Sequence, residues 1–137
     1  MKYVLDSNIA VKWMLPEPDS AEAMALRDDL RNKIHELLAP DVFPVEVGHA
    51  FTRAERQRRI TPPESLNFWA DVMTTLPVLV RTLPLMPRAL VLSSQARIGV
   101  YDCLYVALAE QEQCMVVTGD QELVKTFPSI VVPLSSL

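Results

Sequence analysis

The sequence predicts an α/β domain built on a mainly parallel sheet with helices covering both faces. Two observations predict it. Short apolar runs without helical spacing occur at Tyr3-Val4-Leu5, Val78-Leu79-Val80, Met115-Val116-Val117 and Ile130-Val131-Val132. Between them lie stretches in which apolar residues recur every three or four positions, and that alternation of buried strand and amphipathic helix is the signature of parallel α/β architecture.

The elements follow in order. Tyr3 to Leu5 reads as a buried strand that stops at Asp6-Ser7-Asn8, residues that favour turns and caps. From Asp19 to Leu38, Ala23, Leu26, Leu30, Ile34 and Leu37 form one helical stripe, with Asp19 and Ser20 placed to cap it. After Ala39-Pro40-Asp41, a second stripe runs through Val42, Val45, Val47, Ala50, Phe51 and Ala54, with Pro44 admissible in the first turn, and ends in a basic tail.

Thr61-Pro62-Pro63-Glu64 carries a capping hydroxyl, prolines at the helix start and a glutamate three residues on, so a helix is expected through about Thr74. Val78 to Val80 is the next strand. A helix over Leu83 to Arg97 begins in the Pro84 to Pro87 segment and ends before Gly99, and another spans Tyr101 to Gln113. Met115 to Val117 stops at Thr118-Gly119-Asp120, and Ile130 to Val132 closes the sheet. No linker, repeat or low-complexity segment interrupts residues 1–137, which are expected to form one domain.

Half of the residues are hydrophobic and 22% are charged, an ordinary globular composition. No stretch approaches the ~20 apolar residues of a membrane span, and none resembles a secretory signal, so a cytoplasmic location is expected. Cys103 and Cys114 lie in apolar runs without CxxC or Cys/His spacing, which points to buried free thiols. The net charge of −4 speaks against a nucleic-acid binder, whose footprint is usually basic. Setting aside four acids gathered around cations, however, leaves 13 acids against 13 Lys and Arg.

Four acids stand out. Asp6 and Asp120 each follow a strand, and ligands in parallel sheets bind beyond the carboxyl ends of strands. Glu46 and Asp102 interrupt apolar helical segments, Pro44-Val45-Glu46-Val47 and Val100-Tyr101-Asp102-Cys103-Leu104. A carboxylate near buried surface is costly unless paired or metal-bound, and the basic residue nearest Asp102 in sequence, Arg97, lies five positions earlier. Converging carboxylates repel one another but make an oxygen-rich seat for Mg²⁺ or Mn²⁺, the ions that serve phosphodiester hydrolysis. Each acid also has a structural alternative: a turn for Asp6, a cap over Gln121 to Phe127 for Asp120, a dipole contact for Asp102, and a pair with Arg53 or His49 for Glu46.

Leu5-Asp6-Ser7-Asn8, Pro44-Val45-Glu46, the segment from Tyr101-Asp102 through Tyr105-Val106-Ala107-Leu108-Ala109, and Thr118-Gly119-Asp120 closely resemble the PIN domain, specifically the VapC-like toxin ribonucleases. The resemblance covers essentially the whole chain. It implies a three-layer α/β/α sandwich in which Asp6, Glu46, Asp102 and Asp120 are the catalytic, metal-holding acids. Asn8 and Thr118 would support the metal shell, and Mg²⁺ or Mn²⁺ would be the cofactor. The implied activity is endonucleolytic cleavage of RNA by water, breaking the bond to the 3′ oxygen and leaving a 5′-phosphate. The implied partners are an antitoxin protein and a second copy in a homodimer. Gly119 stands where the family often has Asn.

Two rival classes have identifiable signatures. A phosphatase of the haloacid-dehalogenase type has Asp where this chain has Asn8, and a phosphate receiver has adjacent acids that are missing here. A non-catalytic module would use the acidic cleft to hold a partner's Arg or Lys. Arg53, seven residues beyond Glu46 on the same helix face, is the candidate substrate contact, while Arg56, Arg58 and Arg59 also suit a solvated helix end. His35 and His49 show no ligand spacing and are expected to be ordinary surface or packing residues. Trp13, Phe68 and Trp69 are expected in the core or at a partner contact.

Overall fold

The computed structural model describes residues 1–137. Five parallel strands, β1 (Lys2–Leu5), β2 (Glu36–Pro40), β3 (Val78–Val80), β4 (Met115–Thr118) and β5 (Val131–Pro133), form one sheet in the order β3-β2-β1-β4-β5. The helices are α1 (Ser7–Val11), α2 (Ser20–Arg31), α3 (Phe43–Arg56), α4 (Pro62–Met73), α5 (Met86–Ala96), α6 (Val100–Glu112) and α7 (Gln121–Thr126), with short 3₁₀ turns at Leu83–Leu85 and Leu134–Ser136.

The crossovers from β1 to β2 and β2 to β3 step one way along the sheet, and those from β3 to β4 and β4 to β5 step the other way. Because such connections are right-handed, α1 to α4 cover one face and α5 to α7 the other. The expected three-layer sandwich results, with α1 packed on α3, α3 on α4, and α5 on α6, which lies under β1, β2 and β4. The direction of winding reverses between β1 and β4, whose register pairs Leu5 with Val117.

Buried apolar residues form one cluster that includes Val4, Leu5, Leu37, Phe43, Phe51, Leu104, Leu108, Val116 and Val131. The helix α6 supplies seven consecutive buried residues, Cys103 to Ala109, which explains why it carries no polar stripe. Arg27 is the buried cation of this interior. It donates to Thr75 Oγ1 at 3.0 Å, to the Asp71 carbonyl at 2.8 Å and to the Asp71 carboxylate at 2.7 Å, and it lies over the Trp13 ring. These contacts fasten α2 to the end of α4.

One expected element divides in two. The helix expected over Asp19 to Leu38 ends at Arg31, and Leu37 and Leu38 belong to β2 beside the central strand. Lys33 takes a left-handed conformation (φ 58°) that reverses the chain, and Ile34, counted in the helical stripe, is exposed. The three buried neighbours Leu37, Leu38 and Ala39 cannot all face a core from one side of a helix, whereas a strand covered on both faces buries them together. A short helix, α1, also begins where a turn was expected, directly after β1. Cys103 is buried, Cys114 only half so, and both are free thiols.

Lys33, Arg58, Arg97 and Gln113 occupy left-handed backbone just beyond helices, and no glycine of the chain does. Such ends are usually glycine because a Cβ there meets the following carbonyl. Gln113 is exposed and its N–H closes the end of α6 on Ala109 and Glu110. Gln113→Gly is expected to stabilise the fold by about 0.5–1 kcal/mol, relief of left-handed backbone strain outweighing the added chain entropy; urea denaturation midpoints at constant slope would measure it.

Candidate active site

The winding reversal between β1 and β4 opens a crevice at the carboxyl edge of the sheet, the position where parallel α/β folds bind ligands. Asp6 emerges from β1 into it and caps α1, its carboxylate accepting from the Asn8 backbone N–H at 3.4 Å. Its other oxygen accepts from Thr118 Oγ1 at 2.8 Å. The residue is only 5% exposed, and burial, reinforced by the negative charges of Asp102 and Glu46, pushes its carboxyl up to about 7 against the pull of the Thr118 and Asn8 bonds.

Thr118 is fully buried at the end of β4 and uses every position its hydroxyl offers. Its Oγ1 donates to Asp6 and accepts from the Asn8 amide at 3.2 Å and from the Asp120 backbone N–H at 3.0 Å. Asn8 Oδ1 in turn accepts from the Gly119 N–H at 3.2 Å. These bonds lock the ends of the two strands together, so Asn8 and Thr118 fix the place of Asp6 and the backbone that carries Asp120.

Asp120 caps α7, accepting from the Glu122 N–H at 2.9 Å. The structural role and a place at the site thus coexist in one residue. Asp102 lies in the first turn of α6, and burial, then the charge of Asp120, raises its carboxyl above the usual range. Glu46 lies in the first turn of α3, just past Pro44, and its carboxyl is raised by burial and by Asp102. It pairs with neither Arg53 nor His49. Instead the hydroxyl of Tyr105, a side chain 1% exposed within α6, donates to Glu46 Oε1 at 2.6 Å. This bond crosses the sheet edge from one helical layer to the other.

The four acids expected from the sequence are therefore neighbours at this edge of the sheet: Asp6 feels the charges of Asp102 and Glu46, Glu46 that of Asp102, and Asp102 that of Asp120. None of the four forms an ion pair with Lys, Arg or His; the seven ion pairs of the molecule lie elsewhere. Unopposed oxygen donors of this kind fit a hard divalent cation. No three His, Cys, Asp or Glu side chains already close on one point as a finished metal seat, so the fit rests on donor chemistry and uncompensated charge.

Gly119 has a local reason. A Cβ there would stand 2.7 Å from Lys12 Cε, and Lys12 is held across the turn by Asp19 at 2.9 Å. A side chain at this position would displace the lysine.

Arg53 lies outside the acid crevice, exposed in a neighbouring groove between α1 and α3. His49, expected to be incidental, stands between the two. With Val45, Glu46 and Tyr101 it lines a recess of about 380 Å³. Its three-residue spacing from Glu46 was the available signal. Tyr105 carries no such signal, because an aromatic inside an apolar helix looks like core until its hydroxyl is seen to have a partner. His35 packs edge-on against Tyr3, Trp13 bonds the Ala23 carbonyl, Trp69 bonds the Pro44 carbonyl and Phe68 packs on Phe51, so none of these serves the site.

Comparison with known proteins gives a concordant picture. Ribonuclease VapC1 of Mycobacterium tuberculosis is 35% identical over 106 residues, 75% of each chain. The structure of PAE2754 from Pyrobaculum aerophilum superimposes with a TM-score of 0.73 at 19% identity, covering 99% of this chain and 94% of that one. A toxin–antitoxin complex from Klebsiella pneumoniae contains a chain that matches with a TM-score of 0.62 at 14% identity, covering 96% and 97%. The family model of the PIN domain matches residues 3–126, a span that includes all four acids, and the chain belongs to the PIN domain family.

Proposed function

We propose that this protein is a divalent-metal-dependent endoribonuclease, the toxin of a toxin–antitoxin pair, with Asp6, Glu46, Asp102 and Asp120 as its catalytic carboxylates. The observation that carries the reading is that the four acids neighbour one another at the winding reversal and none of them has an ion pair. The relative named as a VapC ribonuclease and the toxin–antitoxin complex of the same fold support it.

Asp6, Asp102, Asp120 and Glu46 would hold Mg²⁺ or Mn²⁺, with Asn8 and Thr118 supporting the shell. Such an ion, when bound, lowers the pKa of water and neutralises charge on a scissile phosphate. The chain's residues supply order and proton affinity. Thr118 and the Asn8 N–H orient Asp6, the Glu122 N–H orients Asp120, and Tyr105 fixes one oxygen of Glu46, which lines the recess. Glu46, whose second oxygen takes no bond from Tyr105, would take the proton of the attacking water. Water adds to phosphorus, the bond to the 3′ oxygen breaks, the leaving oxygen takes a proton from solvent to become a 3′-hydroxyl, and a 5′-phosphate remains.

The whole chain acts as this one nuclease domain. Its partners are RNA, a cognate antitoxin protein and a second copy, for which Leu90 and Val91 on α5 and the nearby Leu83 offer exposed apolar surface. No helix is long and apolar enough to cross a membrane, in keeping with work in the cytoplasm.

Three outcomes follow. Purified protein is expected to cut total cellular RNA with Mg²⁺ or Mn²⁺ and not with EDTA, and Asp6→Asn is expected to lower the rate by about a hundredfold or more, since even groups behind metal ligands contribute 10- to 100-fold; equal cutting by the variant would refute the assignment. Tyr105→Phe keeps the packing but frees Glu46, and a drop of roughly tenfold in kcat with little change in melting temperature is the expected result.

Stability should depend on pH in an unusual sense. Asp6 binds its proton more tightly folded (about 7) than unfolded (3.8), so between those values the folded state holds more protons and stability falls as pH rises. Metal-free protein is expected to lose on the order of 2–4 kcal/mol from pH 4 to pH 8, discounting other groups. Urea titrations would measure it, and Mg²⁺ should restore stability at the upper end; Asp6→Asn should flatten the dependence.

A further inference from the structure

We propose that the groove between α1 and α3 carries the single-stranded RNA that flanks the scissile phosphate, with His49 as a positioning residue where it meets the acid recess and Arg53 as a phosphate contact. This rests on the nuclease reading above and extends it from the reaction to substrate placement.

The four acids repel a polyphosphate chain everywhere except at a bound cation, so the strand needs positive surface as soon as it leaves the crevice. The groove of about 350 Å³ meets that need. Val11 and Leu15 form its apolar wall, His49 and Arg53 stand along α3 and Gln57 and Arg59 just beyond its end, with no carboxylate in its lining. The other depressions differ. That between α3 and α4 includes Glu55, that around Arg58 includes Glu55 and Glu64, and that near β3 includes Glu36. Charge therefore selects one path.

Continuity admits the same path, and of the two depressions that His49 joins to the recess only the one between α3 and α4 is lined by a carboxylate, Glu55. The wall formed by Val11 belongs to the helix that Asp6 caps, and the opposite wall belongs to the helix that carries Glu46. Glu46, His49 and Arg53 follow one another at three- and four-residue intervals, so they line one helix face from the acid recess into the groove. His49 lines both cavities. Its exposed ring offers a donor for phosphate and a flat face for a base. Arg53 is exposed and free of any ion pair, whereas Arg59 is shared with Glu17 at 3.3 Å. The apolar wall suits unpaired bases, whose faces stack on such surface, and not duplex, whose bases are hidden.

The test is binding of a labelled, randomised single-stranded RNA pool to Asp102→Asn protein, which holds the substrate uncut, followed by fluorescence anisotropy across a NaCl series. Arg53→Ala in that background is expected to bind about five- to tenfold more weakly and to lower the slope of log affinity against log salt by about one. Arg53→Lys should recover most of the loss, and Arg31→Ala, on the far end of α2, should change neither quantity. In otherwise wild-type enzyme, His49→Ala should raise KM several-fold while kcat stays within about twofold, the pattern of lost substrate placement.

Affinity and salt slope unchanged in Arg53→Ala, with KM unchanged in His49→Ala, would overturn the proposal and leave the groove to a protein partner. An equal loss in Arg31→Ala would overturn it as well, by showing general charge attraction. Failure of the nuclease reading is separate: it would appear as no metal-stimulated cleavage by the parent protein, while the binding comparison would still decide whether RNA follows the groove.

Discussion

Asp6 is a carboxylate buried at the end of the central strand, and much of the molecule is arranged around tolerating it. It is placed there by topology. The first strand occupies the middle of the sheet, so whatever follows it lies between both helical layers. Solvation lost on burial is recovered only in part by the Thr118 hydroxyl and the Asn8 N–H, and its proton affinity rises accordingly. The nearby Asp102 and Glu46 add to the repulsion, where stability alone would favour a cation or an apolar side chain. An arrangement held at such a cost in the ligand-free chain is what a divalent cation would relieve, and it ties function directly to local instability.

The polar bonds around the crevice are few and closely linked. Thr118 joins β1 to β4 by engaging Asp6, Asn8 and the Asp120 backbone through a single oxygen. Tyr105 joins the two helical layers by holding Glu46. Each of these side chains comes from an element whose other residues are core, as the fully buried neighbours of Thr118 and Tyr105 illustrate. The acids are thus positioned by the packed interior, and an error in packing β4 or α6 would be felt as an error in the spacing of the carboxylates.

Much of this was legible along the chain because the informative signals are local. Strands β1, β3, β4 and β5 are short apolar runs bounded by turn residues, and the capping box at Thr61 and Glu64 is formed as its residues suggest. The acids were legible because charge inside an apolar pattern is conspicuous. The second strand was not, since Ile34 and Leu37 happen to continue the spacing of α2, and the end of that helix is marked by Lys33 where a glycine would have been the usual sign. A chain with three glycines, none in left-handed backbone, conceals its helix ends.

By itself the sequence determined which residues are strand, helix and core for most of the chain, and which four acids are out of place in that pattern, because periodicity and burial of charge are properties of neighbours in sequence. Only the tertiary structure decided what those acids meet. That β1 and β4 lie side by side, that a core tyrosine on α6 holds the glutamate on α3, and that His49 stands between the acid recess and a groove free of carboxylates are all consequences of strand order and the right-handed crossovers. Contacts between residues 59 or 112 positions apart have no local signature, since they are fixed by the packing of whole elements and not by the propensity of any one.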